Sequence, residues 1–152
     1  VIALREQFHL PGMKILQFAF ADDPDNDFLP HNYPANCVAY TGTHDNDTIL
    51  GWYQSAPEKE RDLVRRYLAR SGEDIAWDFI RAVFSSTAVY ALTTMQDLLS
   101  LGTHARMNYP GRLGGNWNWR LLPEQMDPMI GARLREMNYL YSRIETESDD
   151  QP

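Results

Sequence analysis

What the chain lacks narrows its possibilities before its motifs are read. It has one cysteine, Cys37, so no disulfide can form within it. That thiol lies in an apolar run, which fits a buried, reduced side chain in a cytosolic protein. No stretch approaches the ~18 consecutive apolar residues of a membrane helix. The opening "VIALREQFHL" has no basic leader and carries charge where a signal peptide needs an apolar centre. It does not begin with methionine, so the expectation is of a piece cut from something longer. Basic residues are also few: 14 Lys and Arg face 21 Asp and Glu, for a net charge of −7. With no basic stripe, a nucleic-acid partner is not expected. A neutral or cationic ligand suits this surface better.

The chain's 152 residues and 17.6 kDa fit one domain with a sizeable core. Its 43% apolar and 23% charged residues are those of a globular protein. Val1, Leu4 and Phe8 are spaced as the tail of a helix that stops before Pro11-Gly12. Met13–Phe20 is apolar almost throughout, the pattern of a parallel strand covered on both faces. After the turn-rich "ADDPDNDFLPHNYPAN", Cys37–Thr43 predicts a second strand. Ser55, Pro57 and Glu58 predict a helix start, Ser55 as cap, with Leu63, Val64, Tyr67 and Leu68 on one face. Another helix from about Asp74 aligns Ile75, Phe79, Ile80 and Val83. A third strand is expected near Val89–Leu92. A last helix spans Pro128–Arg143, with Ile130, Leu134, Met137 and Tyr141 facing inward. Residues 1–145 read as one unit, and the acidic 146–152 as a disordered tail. Strands separated by helices predict an α/β fold with a parallel sheet. Three strands alone would leave apolar edges, so part of a larger α/β structure is expected.

Chemistry concentrates in "YTGTHDNDTILGW", where His44 and Asp45 follow an apolar strand. In α/β sheets and barrels, reacting groups gather at the carboxyl ends of strands. Three uses are open: a metal site, an acid that handles a glycan, or turn chemistry, with Asp47 or Thr48 capping a helix. The four histidines, His9, His31, His44 and His104, lack metal-ligand spacing. The acidic run 22–27 fails as a calcium loop, since Phe28 and Pro34 stand at its glycine and glutamate positions. No metal is expected. The Asn46-Asp47-Thr48 match to an N-glycosylation site is read as chance. Met95-Gln96-Asp97 follows the third strand and would face the same end as His44, although Asp97 fits a surface helix equally well. "ARMNYPGRLGGNWNWR" combines the amide of Asn108 with the rings of Tyr109, Trp117 and Trp119. Such rings stack on sugar faces while amides and acids pair with hydroxyls, but tryptophans also simply fill a core.

Together, "LPGMKILQFAF", "FLPHNYPAN", "YTGTHDNDTILGWY", "QDLLSLG" and "ARMNYPGRLGGNWNWRLLP" resemble the 4-α-glucanotransferases (amylomaltases, or disproportionating enzymes). The resemblance covers nearly the whole chain, in the family's order. It implies the last third of a (β/α)8 TIM barrel, with Met13–Phe20, Cys37–Thr43 and Val89–Leu92 as its sixth to eighth strands. The implied reaction is retaining transfer of α-1,4-glucan segments between malto-oligosaccharides, or starch or glycogen dextrins, or to glucose. Retention takes two carboxyl groups about 5 Å apart. By resemblance, both the nucleophile and the acid/base lie upstream of Val1, and the chain alone is expected to be inactive. Asp45 matches the family's third acid, a transition-state stabiliser, and His44 its neighbouring sugar-hydroxyl ligand. Asn108 matches a position that hydrogen-bonds the donor glucan, and Phe18 an aromatic near the acceptor. The family implies no cofactor. The alternatives are a glucan-binding module without chemistry and a remnant without a ligand.

Overall fold

A computed structural model describes residues 2–21 and 25–144. Three parallel strands form one sheet in the order β1 (Gly12–Ile15), β2 (Cys37–Tyr40), β3 (Tyr90–Leu92). Gly12 pairs with Cys37, and Tyr40 with Leu92. Around them run α1 (Ile2–Gln7), α2 (Ile49–Ser55), α3 (Glu58–Leu68), α4 (Ile75–Phe84), α5 (Met95–Leu98) and α6 (Pro128–Leu140). Residues 146–152, expected to be a disordered tail, lie outside the described residues, as do 22–24 of the acidic run.

The strands are shorter than their apolar runs. β1 stops at Ile15 rather than Phe20, because its partner β2 leaves the sheet after Tyr40. One further rung, Gln17 N–H to Thr41 C=O at 3.3 Å, survives before Leu16–Phe18 coils into a single 3-10 turn. Leu16, Ala19 and Phe20 are apolar for a different reason: they are buried in the core. Phe20 meets Phe79 of α4 at 5.5 Å between ring centres, and lies near Trp52 and Tyr67. Residues Ile75, Phe79, Ile80 and Val83 of α4 are all buried, as their helical spacing predicts. Burying side chains of this size stabilises by about 1.5–3 kcal/mol each.

Burial on both sheet faces, expected from the sequence, holds on one face and, at Ile15, only in part on the other. Cys37 and Ala39 are buried on the helix side. Met13, Val38 and Tyr90 share a rung, and there Met13 and Tyr90 are 58% and 62% exposed.

Two helix boundaries also differ. Ser55 closes α2 instead of capping α3, and its hydroxyl donates to the Gly51 carbonyl at 3.0 Å. Helix α3 starts after Pro57 with no side-chain cap. Helix α6 ends at Leu140, three residues early. Arg143 is drawn away to donate to the carbonyls of Phe84, Ser86 and Ala88 at 2.6–3.0 Å. A guanidinium there satisfies carbonyls that the end of α4 leaves free. Among the described residues, no helix is long and apolar enough to cross a membrane.

Candidate active site

Three segments meet at the carboxyl ends of β2 and β3. The first, Thr41–Thr48, leaves β2 and enters α2. Its turn is built by Asn46, whose Oδ1 accepts from both the Thr43 N–H and the Thr43 hydroxyl, at 2.9 and 2.8 Å. Thr48 caps α2 by accepting from the Gly51 N–H at 3.1 Å. Asp47 is a tie: its carboxylate accepts from the Thr48 N–H and the Thr103 hydroxyl, both at 2.8 Å. Its carbonyl accepts from Gln17 Nε2 at 3.0 Å. With the loop fixed at these points, His44 and Asp45 stand at its exposed tip.

The second segment, Thr94–Asp97, leaves β3. Gln96 and Asp97 are buried, so Asp97 is not the surface helix residue its position allowed. The third is the loop from Ala105 to Arg120. Here Asn108 Nδ2 donates to Asp45 Oδ1 at 2.6 Å. His44 Nε2 stands 3.3 Å from the same oxygen. The Asp45 side chain is 52% exposed, open to a ligand hydroxyl. Arg106 binds the two segments together, donating to the Asp45 carbonyl at 2.7 Å and the Asn108 carbonyl at 2.8 Å. Its guanidinium lies 4.3 Å from the centre of the Tyr109 ring.

A cleft of about 210 Å³ opens here, lined by His44, Asp47, Gln96, Asp97, Arg106 and Trp117 among others. The rings of Trp117 and His44 are 5.1 Å apart and tilted by 40°. Trp117 holds a left-handed backbone, φ 61°, unusual for a bulky residue, while its N–H donates to the Met107 carbonyl at 2.7 Å. Of the aromatic kit read from the sequence, only Trp117 lines the cleft. Tyr109 is engaged by Arg106 and Arg112, and Trp119 lines none of it.

The structure therefore brings His44, Asp45 and Asn108 into contact and leaves Phe18 apart. Phe18 follows the end of β1, packs edge-on against Phe28 at 5.7 Å and is half exposed. Arg106 and Asn46 are site-building residues that the sequence reading did not single out, whereas Asp97, read as either facing this end or a surface helix residue, does stand at this end. Among the described residues, no group of three or more His, Cys, Asp or Glu could hold a metal ion. The arrangement offers the Asp45 carboxylate and the Asn108 amide at the exposed tip, beside a cleft lined by the His44 imidazole and the Trp117 indole. That set can grip a polyhydroxylated ring, while the two carboxylates that line the cleft, Asp47 and Asp97, are engaged by Thr48, Thr103, Thr41 and Ile49.

Comparison with known proteins agrees with this architecture. The 4-alpha-glucanotransferase family model matches residues 1–125, and the chain belongs to that family. A 4-alpha-glucanotransferase of Thermus thermophilus is 54% identical, over 95% of this chain and 30% of that protein. One from Streptococcus pneumoniae is 47% identical over 95% of this chain and 29% of its own length. The amylomaltase of Streptococcus agalactiae, solved in complex with acarbose, superimposes with a TM-score of 0.91 at 35% identity. It too is matched over 95% of this chain and 30% of its own. The chain thus spans about 30% of the length of the relatives it matches. Its fold is an incomplete portion of a (β/α)8 barrel, three neighbouring parallel strands with their helices.

Proposed function

We propose that the chain supplies the donor-gripping side of a retaining 4-α-glucanotransferase site. The observation that carries this is the shared oxygen: Asp45 Oδ1 receives Asn108 Nδ2 and has His44 Nε2 beside it, at a strand end and next to a cleft that His44 lines. In this reading Asp45 holds ring hydroxyls of the donor sugar. Its charge and hydrogen bonds strengthen as positive charge develops on an oxocarbenium-like transition state. His44 and Asn108 orient the same sugar, and Trp117 offers it an apolar face. Phe18 stands nearer the acceptor. Malto-oligosaccharides and starch or glycogen dextrins are the substrates. Support comes from family membership and from the acarbose complex of the agalactiae relative.

The nucleophile and the acid/base would then come from the rest of the barrel, so the chain alone should not turn over. A cytoplasmic setting goes with the lone reduced thiol, although the plant relatives carry chloroplastic names. A second reading, a glucan-binding module without chemistry, draws on Trp117 beside His44. Asp45→Asn in the enzyme that carries this chain with the rest of its barrel decides between them. Transfer from maltotriose should fall at least about a hundredfold, in line with losses of preorganised transition-state stabilisers, with acarbose still bound. Unchanged transfer would remove Asp45 from the chemistry.

A further inference from the structure

The loop that carries His44 and Asp45 begins at Thr41, just beyond β2, and ends at Ile49, the first residue of α2. One carboxylate holds both ends. Asp97 Oδ2 accepts from the Thr41 hydroxyl at 2.8 Å, and Oδ1 accepts from the Ile49 N–H at 2.9 Å. Asp97 is only 2% exposed, and Thr41 and Ile49 are fully buried. The carboxylate is itself anchored just past β3. Its own N–H donates to Thr94 Oγ1 at 3.2 Å, and Thr93 Oγ1 stands 3.2 Å from Thr41 Oγ1.

We propose that Asp97 is a positioning residue for glucan transfer: it fixes the span of the 41–49 loop and so the place of the Asp45 carboxylate against Asn108. The inference rests on the reading of Asp45 given above. No hydrogen bond joins Asp97 to His44 or Asp45, so its influence passes through the loop's two ends. Burying a carboxylate costs folding energy, and burial pushes the Asp97 carboxyl above its ordinary range even against the bonds from Ile49 and Thr41. An apolar residue would fill the same space more cheaply. What it could not do is accept from a strand end and a helix start at once, and that double acceptance sets the distance across the loop. Misplacing a reacting group by about 1 Å can cost about a hundredfold in rate, so a small slackening of this clasp is enough to matter.

Thr41 gives the sharper test. Thr41→Val keeps the shape and removes the hydroxyl, whereas Thr41→Ser keeps the hydroxyl. In the enzyme that carries this chain with the rest of its barrel, maltotriose disproportionation should show kcat down about tenfold to a hundredfold for Thr41→Val. KM should change much less, and Thr41→Ser should recover most of kcat. Activity is expressed per folded enzyme, with near-ultraviolet circular dichroism as the check. From the other partner, Asp97→Asn can still accept from Ile49 and donate to Thr41, so it should keep more kcat than Asp97→Ala. This pair serves if Thr41→Val fails to fold. A folded Thr41→Val with wild-type kcat overturns the inference, as does a Thr41→Ser no better than Thr41→Val. Asp45→Asn, assayed alongside, separates the two levels: if it too keeps full transfer, the reading of Asp45 has failed. If Asp45→Asn collapses while Thr41→Val does not, only the positioning role is lost.

Discussion

The two loops that meet at Asp45 are built in opposite ways. Residues 41–49 are tied to their surroundings by buried Asp97 at both ends and, at Asp47, by buried Gln17 and by Thr103 on the surface. Residues 105–120 are tied mostly to themselves. The Tyr109 N–H donates to Asn116 Oδ1, Asn116 Nδ2 to the Arg112 carbonyl, and the Trp117 N–H to the Met107 carbonyl. Gly114 and Gly115 take φ 75° with open space where a side chain would be, so glycine serves the backbone there and not a close packing contact. The longer loop is fixed to the shorter one chiefly through Arg106 and Asn108. Half of the site is therefore part of the fold, and the other half is delivered to it. Changes to the first should register in stability, and changes to the second in function.

The largest effect that contrast predicts is at Gly51. A Cβ there would stand 2.4 Å from Thr103 Oγ1, 2.8 Å from Thr103 N and 2.9 Å from Asp47 Oδ1. Gly51→Ala gains about 1 kcal/mol in helix propensity. It must also push the Thr103 backbone away and break the bond from Thr103 to Asp47, an overpacking cost of about 1–3 kcal/mol plus the lost bond. We expect net destabilisation of about 2 kcal/mol by urea unfolding, and an unchanged or raised midpoint would erase the contrast. Next is Asn108→Ala, which removes the charge-assisted bond to Asp45 from the delivered loop. Such bonds are worth about 1.5–3 kcal/mol, so kcat/KM for maltotriose should fall by about tenfold to a hundredfold, at about 1.4 kcal/mol per tenfold. The unfolding midpoint should stay where it was. A large drop in stability instead would mean the 105–120 loop belongs to the fold after all.

The smallest effect sharpens the comparison through pH. Burial raises the Asp97 carboxyl above its ordinary 3.8, with hydrogen bonds from Ile49 and Thr41 only partly opposing it. Between 3.8 and the raised value the folded state holds a proton that the unfolded state has lost. Stability from this group therefore falls as pH rises through that window and levels off above it. Plotted against pH, the unfolding free energy of wild type minus that of Asp97→Asn should slope downward across the window. A flat or rising difference would show that the clasp's hydrogen bonds outweigh its burial.

How far the sequence could be read depends on where each signal resides. His44 and Asp45 were legible because a polar pair straight after an apolar strand is a local pattern. Asn108 was legible as the amide of an aromatic-rich loop and through the family resemblance, but its pairing with Asp45 was not, since nothing local links residues 63 positions apart. Asp97 was ambiguous, because an acid in a short helix looks the same whether it faces water or clasps a neighbouring strand. The seven-residue α2 was read only as far as its start, with Thr48 a possible cap: Gly51 weakens its helical signal, and that glycine answers to Thr103, far along the chain. Ser55 was assigned to the wrong helix because two helices adjoin and a serine suits either boundary. In β1, apolarity reported burial rather than extension.

The sheet's uncovered face has a practical side. Among the described residues β1 and β3 each have one strand neighbour, and Met13, Tyr90 and Leu92 lie 58%, 62% and 44% exposed. Unpaired strand edges beside apolar side chains are templates for indiscriminate self-association. The net charge of −7 opposes it by mutual repulsion between copies. That repulsion is screened beyond about 10 Å at 0.1 M salt. As long as the sheet stands at three strands, the colloidal behaviour of this chain is thus set by ionic strength: dispersed in dilute buffer, clustering as salt is added.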